Sequence, residues 1–144
     1  RPSNIYGEGG GVGRRASTVI EQFIESSKKG GDLRIVGDES RGIDFIHVRD
    51  VVLFVEKLII NQIKGGQIFN VSSGESISLA DLAELVVKRA EVVCDVRPKI
   101  IFDKSEERKL NLTRRLDNVR AREIFPDFPT IPLEKGIEEL LKQK

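Results

Sequence analysis

The 144-residue chain has no Met and no Trp, and only one each of Cys, His and Tyr. A lone Cys94 cannot close an intrachain disulfide, which fits a reducing, cytoplasmic setting. One His and one Cys make a zinc site unexpected, because such sites gather several Cys, His or carboxylate ligands. No apolar run approaches the roughly 18 residues of a transmembrane helix, and no signal peptide stands out. Charge of neither sign is in excess: 24 Lys and Arg against 23 Asp and Glu leave +1. Such balance gives no broad electrostatic footprint for nucleic acid or an anionic membrane. The chain also lacks an initial Met. It starts at Arg1 inside what reads as an extended segment, so a piece of a longer protein is expected.

What is present suits a folded domain. Apolar residues reach 39%, which argues against disorder. The length suffices for one core, so residues 1–144 are expected to form a single domain. An extended stretch over 1–6 leads into a five-glycine loop, Gly7 to Gly13. Val19, Ile20, Phe23 and Ile24 predict a helix over 16–29, stopped by Gly30-Gly31. Residues 33–36 and 43–48 read as strands. Asp50 reads as the N-cap of a strongly apolar, buried helix over 51–60. Residues 67–71 read as a strand. Ser78, with Asp81 three residues on, caps a helix running to about Ala90. Residues 92–95 fit either a helix end or a strand, and 99–102 a strand. The charged run 104–115 reads as a surface loop, and Asp117 as the cap of a short helix over 118–124. Pro126, Pro129 and Pro132 impose an extended linker before an amphipathic helix over 133–141. About five helices with short strands give a mixed α/β fold with a small sheet.

Two stretches carry candidate chemistry. Gly7, Gly10 and Gly13 fit the Gly-x-x-Gly-x-x-Gly spacing that brings backbone amides to a pyrophosphate at a helix N-terminus, and Asp38 ends the next strand where a ribose-binding acid would lie. The strand before them is only Ile5-Tyr6, however, where a central parallel strand is a longer apolar run. The second stretch is 35–50: a strand ending in Gly37-Asp38, a charged turn, and a strand carrying His47. His is the usual acid–base residue near neutrality. Between Ile46 and Val48, His47 reads instead as a hydrogen-bonded structural residue. Asp44 and Asp50 read as turn and cap residues rather than paired carboxylates.

This second stretch resembles the Gly-Asp-Gly-x-Gln-x-Arg-Asp-Phe-Ile-His-Val-x-Asp signature of extended short-chain dehydrogenase/reductases, the family of the sugar-nucleotide epimerases and dehydratases. Arg1-Pro2-Ser3-Asn4-Ile5-Tyr6-Gly7 is similar to that family's Arg-x-x-Asn-x-Tyr-Gly-Pro, with Glu8 in place of the Pro. Asn70-Val71-Ser72-Ser73-Gly74, Asp117-Asn118-Val119-Arg120-Ala121 and Leu133-Glu134-Lys135-Gly136-Ile137 resemble later family segments in the same order. The resemblance implies the C-terminal, substrate-binding part of a Rossmann-type enzyme, with the Rossmann half ahead of Arg1 as its missing partner. It implies a sugar nucleotide as substrate. It also implies NAD or NADP in the full-length protein, with none held tightly by this portion. By the same resemblance, backbone near Pro2 touches the nicotinamide and Asn4 contacts sugar or diphosphate. Thr18 and Val19 contact the base, Val36 packs on it, and Arg108, or its neighbour Lys109, grips the diphosphate.

The pattern breaks in two places. Ile43 stands where the family has a diphosphate-binding Arg, and Ile offers no donor. Arg41, two residues earlier, shares a strand face with it and is the candidate replacement. The family's catalytic Tyr-x-x-x-Lys is also absent, since Tyr6 is followed four residues on by Gly10. No catalytic residue is therefore expected in this chain, and the portion alone is expected to be inactive. The parent protein is expected to be an NAD(P)-dependent epimerase or dehydratase. Two other readings stay open: a non-catalytic nucleotide- or protein-binding module derived from that family, and dinucleotide binding at the Gly7–Gly13 loop. A homo-oligomer is also left open, through a surface other than the Rossmann-half helices by which family dimers usually pair.

Overall fold

Every strand among the described residues is short, four residues at most, so the helices carry most of the packing. A computed structural model describes residues 1–8, 18–103 and 113–143. The elements are β1 (Asn4–Tyr6), α1 (Val19–Lys28), β2 (Leu33–Val36), β3 (Gly42–Ile43), β4 (Phe45–His47) and α2 (Val48–Ile60). After them come β5 (Ile77–Ser78), α3 (Leu79–Cys94), β6 (Ile100–Asp103), α4 (Val119–Ile124) and α5 (Leu133–Lys142). The class is mixed α/β with five helices among the described residues, as expected. The strands form three two-stranded sheets rather than one: β1 and β2 pair in parallel with β4 and β6, and β3 pairs antiparallel with β5.

Alternation along β4 sends Phe45 and Ile46 to opposite faces, and each face meets its own apolar cluster. Phe45 joins the larger one, with Ile20 and Phe23 of α1, Leu82 and Val86 of α3, Leu33 and Ile35 of β2, and Ile137 and Leu140 of α5. Ile46 joins the smaller, with Phe54, Phe69, Val71, Ala121 and Phe128. Arg89 of α3 ties α5 to this frame by ion pairs with Glu134 and Glu138.

Helix ends follow local chemistry closely. Thr18 caps α1 in a full capping box, with Glu21 Oε2 accepting from the Thr18 N–H at 2.9 Å. Ser78 Oγ accepts from the Asp81 N–H at 3.0 Å, so the cap of α3 stands where the sequence puts it. That helix runs on to Cys94 and ends at a left-handed Asp95. Val93 and Cys94 rest against the larger cluster, and this contact carries the helix past Ala90. Residues 67–71 do not form a strand beyond the single bridge of Val71 to Pro2. Side chains divert the segment: Arg120 donates to the Ile68 carbonyl and Asn70 to the Asp117 carbonyl, both at 2.9 Å.

Asp50 is not the cap of α2. The helix starts two residues earlier, and His47 Nδ1 accepts from the Arg49 N–H at 3.2 Å. Asp50, fully buried, instead accepts from the Thr130 N–H and hydroxyl at 2.9 and 2.6 Å and from the Ile131 N–H at 3.2 Å. Nor is α2 buried: Val52, Val55, Ile59 and Ile60 are exposed, and only Asp50 and Phe54 are enclosed. Asp44 is a second buried carboxylate satisfied at long range. It accepts from the Ser73 N–H and hydroxyl at 3.0 and 2.8 Å and from the Leu116 N–H at 3.3 Å.

Gly136 sits inside α5 because the Tyr6 ring lies against it. A Cβ there would collide with the Tyr6 hydroxyl and come within 2.9 Å of two ring carbons. In an open helix Gly→Ala stabilises by about 1 kcal/mol. Here Gly136→Ala is expected to destabilise by about 1–3 kcal/mol, because overpacking outweighs propensity. The buried Tyr6 hydroxyl has no partner among the described residues, so Tyr6→Phe alone should be close to neutral and should restore part of the loss, read by thermal denaturation. Asp44→Asn should cost about 2 kcal/mol, because its amide would turn a donor towards one of three N–H or O–H donors. A melting temperature unchanged by Asp44→Asn would refute the stapling role.

Candidate functional site: a cavity between two helix N-termini

One cavity of about 300 Å³ opens between β1, β2, β3 and the starts of α1 and α3. Its walls include Asn4, Thr18, Val19, Gln22, Arg34, Ile35, Val36, Arg41, Ile43, Phe45 and Leu79. Five residues singled out in the sequence meet here: Asn4, Thr18, Val19, Val36 and Arg41. Pro2 is exposed and is not among the lining residues. Arg108 and Lys109 lie outside the described residues, as do Gly10 and Gly13 of the glycine loop.

Local structure explains each position. Asn4 is held by Asp44, whose carbonyl accepts from both the Asn4 N–H at 3.1 Å and its Nδ2 at 2.9 Å. One amide donor is thus committed to the fold, which leaves the Asn4 side-chain oxygen to accept. Thr18 is likewise partly committed, its hydroxyl oxygen serving as the α1 cap. Val36 ends β2 half-exposed, and Gly37 follows at φ +85°, turning the chain towards Arg41. Asp38 holds the turn, its Oδ1 accepting from the Ser40 N–H and hydroxyl. The Arg41 backbone is fixed as well, its carbonyl accepting from the Leu79 N–H at 3.2 Å. Ile43 is buried in the wall and paired with Ile77.

The charges here have one sign. Arg34 and Arg41 are cations on the wall, no carboxylate among the described residues lines it, and Arg34 Nε lies 3.5 Å from Asp103 outside. Thr18 caps α1 and Leu79 opens α3, so two positive helix ends lie here. Val19, Ile35, Val36, Ile43, Phe45 and Leu79 supply apolar walls. Flat apolar groups and an anion suit such a lining, and among the described residues no Ser, Cys, His, Lys, Tyr, Asp or Glu lines it. Arg34 and Gln22 were missed in the sequence reading. Arg34 had a signal, since it shares the outer face of β2 with Val36. A larger cavity, about 590 Å³, lies between residues 73–77 and 129–134 and also reaches Phe45. It gathers none of the sequence candidates, so the smaller one is the better site.

Fold and cavity together define an α/β unit suited to hold an anionic, ring-bearing ligand. Comparison with known proteins gives the family. A family model described as the NAD dependent epimerase/dehydratase family matches residues 1–72, and the chain belongs to that family. It is 30% identical over 141 residues to a dTDP-4-dehydro-6-deoxy-D-allose reductase of Streptomyces bikiniensis, covering 96% of this chain and 40% of the reductase. It is 32% identical over 143 residues to a UDP-glucose 4-epimerase of Mycolicibacterium smegmatis, covering 98% and 43%. Among solved structures, a UDP-glucose 4-epimerase of Thermotoga maritima, bound to UDP-glucose, superposes with a TM-score of 0.76 at 23% identity, covering 99% of this chain and 43% of that one. The chain therefore spans about two-fifths of the length of the relatives it matches. Among the described residues, no helix is long and apolar enough to cross a membrane.

His47 lies outside the cavity lining and is structural, as its sequence context suggests. It is 1% exposed and packs edge-on against Tyr6 at 5.1 Å. Burial first, and the Arg49 cation second, hold its pKa below the ordinary 6.5. The unfolded chain takes up this proton near pH 6.5 while the folded one resists it. The stability contribution is therefore full above that pH and is lost as pH falls through it. His47→Asn keeps a capping acceptor without the titration. It should flatten the decline of melting temperature between about pH 7 and pH 5. An equally steep decline in that variant would count against His47 as the source.

Proposed function

We propose that residues 1–144 form a single C-terminal substrate-binding unit of an NAD(P)-dependent sugar-nucleotide epimerase or dehydratase. In this reading the cavity takes the nucleoside diphosphate. The observation that carries it is the convergence of Asn4, Thr18, Val19, Val36 and Arg41 on one cavity with cations and, among the described residues, no carboxylate. Val19, Val36 and Leu79 would enclose the base. Arg41, helped by Arg34 and the two helix ends, would hold the diphosphate that Ile43 cannot, and Arg108 would be a second residue to grip it. The Asn4 oxygen would accept a sugar hydroxyl. Bound NAD(P) would supply hydride transfer, with Pro2 offering backbone beside the nicotinamide. The remaining part of a protein of family length would hold most of the cofactor and the proton-transferring Tyr. This chain's own residues bind, orient and exclude water.

Calorimetric titration of the chain with UDP-glucose and a dTDP-sugar tests the reading. Binding is expected, and Arg41→Ala should weaken it about tenfold or more, the loss typical of a charge-assisted pair. Unchanged affinity in that variant would remove Arg41 from the site. Titration with NAD should show weak binding at most. Tight binding would instead favour a dinucleotide site at the Gly7–Gly13 loop. Absence of turnover by the full gene product with every sugar nucleotide tried would favour a non-catalytic binding module.

A further inference from the structure

Helix α2 has three distinct flanks. Val51, Phe54 and Leu58 point into the smaller cluster. On one side of them, Asp50 holds Thr130 and Ile131, and Lys57 lies 5.2 Å over the Phe125 ring. On the other side, Val48, Val52, Val55 and Ile59 fall at i, i+4, i+7 and i+11, the spacing of a helix-packing seam. Val52, Val55 and Ile59 are 61, 49 and 71% exposed. The seam runs on the β1 side of α2, because a Gly7 Cβ would stand 2.7 Å from Val48 Cγ1. The β1–β4 pair beside it is parallel, and parallel sheets are covered by helices on both faces.

We propose that this seam is the docking face for a helix of the same polypeptide, from the part of a family-length protein that these 144 residues do not span. The proposal rests on the reading of the chain as one portion of such a protein. Its relatives are more than twice as long as the matched region, which covers 40 to 43% of them. A second copy is the poorer occupant. The three side chains expose roughly 300 Å², against about 800 Å² per partner in a stable dimer. A patch this small holds a neighbour that is already tethered, since linkage removes most of the cost of association.

The test compares the 144-residue chain with the full gene product. In a Cys94→Ala background, Val55→Cys should react freely with a maleimide in the chain and on the order of tenfold more slowly in the full product, where the seam is covered. Val55→Lys with Ile59→Lys should lower the melting temperature of the full product by several degrees and leave that of the chain unchanged. Val92→Lys, on the exposed face of α3, should alter neither. Equal labelling in both proteins, a gene product no longer than the chain, or a chain dimer abolished by the double Lys variant would each overturn the proposal. Slowed labelling without sugar-nucleotide binding would support the seam and remove the functional reading. Binding with equal labelling would do the reverse.

Discussion

The fold depends on a buried carboxylate that neutral donors satisfy. Asp44 is 1% exposed and is satisfied by two donors of Ser73 and the Leu116 N–H. A charge taken from water without partners is costly, and three neutral donors offset that cost only while all stay in place. One side chain therefore fixes two segments that lie 29 and 72 residues further along the chain. Its carbonyl fixes a third, by accepting from the backbone and side chain of Asn4. The cavity inherits this order: Asn4 faces it because Asp44 holds the other half of its amide. Asp50 repeats the device, tying α2 to residues 130 and 131 and so to the approach to α5.

The cavity divides its labour in a way that suits binding. Its apolar walls come from first turns and strand faces that the core already holds rigid. Its cations come from exposed positions, Arg34 on the outer face of β2 and Arg41 after the Gly37 turn. A buried Arg at position 43 would need full desolvation, whereas Ile43 completes the wall and moves the charge to the rim, where it stays hydrated. Electrostatic attraction is then weaker per contact and more sensitive to salt.

Much of this was legible in the sequence, for reasons that differ by element. The mixed α/β class, the Ser78 cap, strand β2 and the amphipathic α5 were read correctly, because spacing and capping chemistry act over three or four residues. The resemblance in ordered motifs gave the family that the comparison then showed. Asp50 was misread, because a carboxylate at a helix start is an N-cap by local rules and its actual partners lie 80 residues away. The α2 helix was misread for a related reason. Its composition is strongly apolar, and sequence alone does not say which apolar face finds a neighbour. The 67–71 segment has strand propensity, but Arg120 and Asn70 draw its surroundings into side-chain hydrogen bonds instead.

The sequence by itself determined the local elements and the family, since both are written in near-neighbour spacing and in ordered short motifs. Only the tertiary structure decided three further things. Gly136 exists to admit the Tyr6 ring, two aspartates serve as long-range staples, and residues from position 4 to position 79 share one cavity. Each depends on atoms brought together from distant parts of the chain, and pairing of that kind leaves no periodicity for a sequence to display.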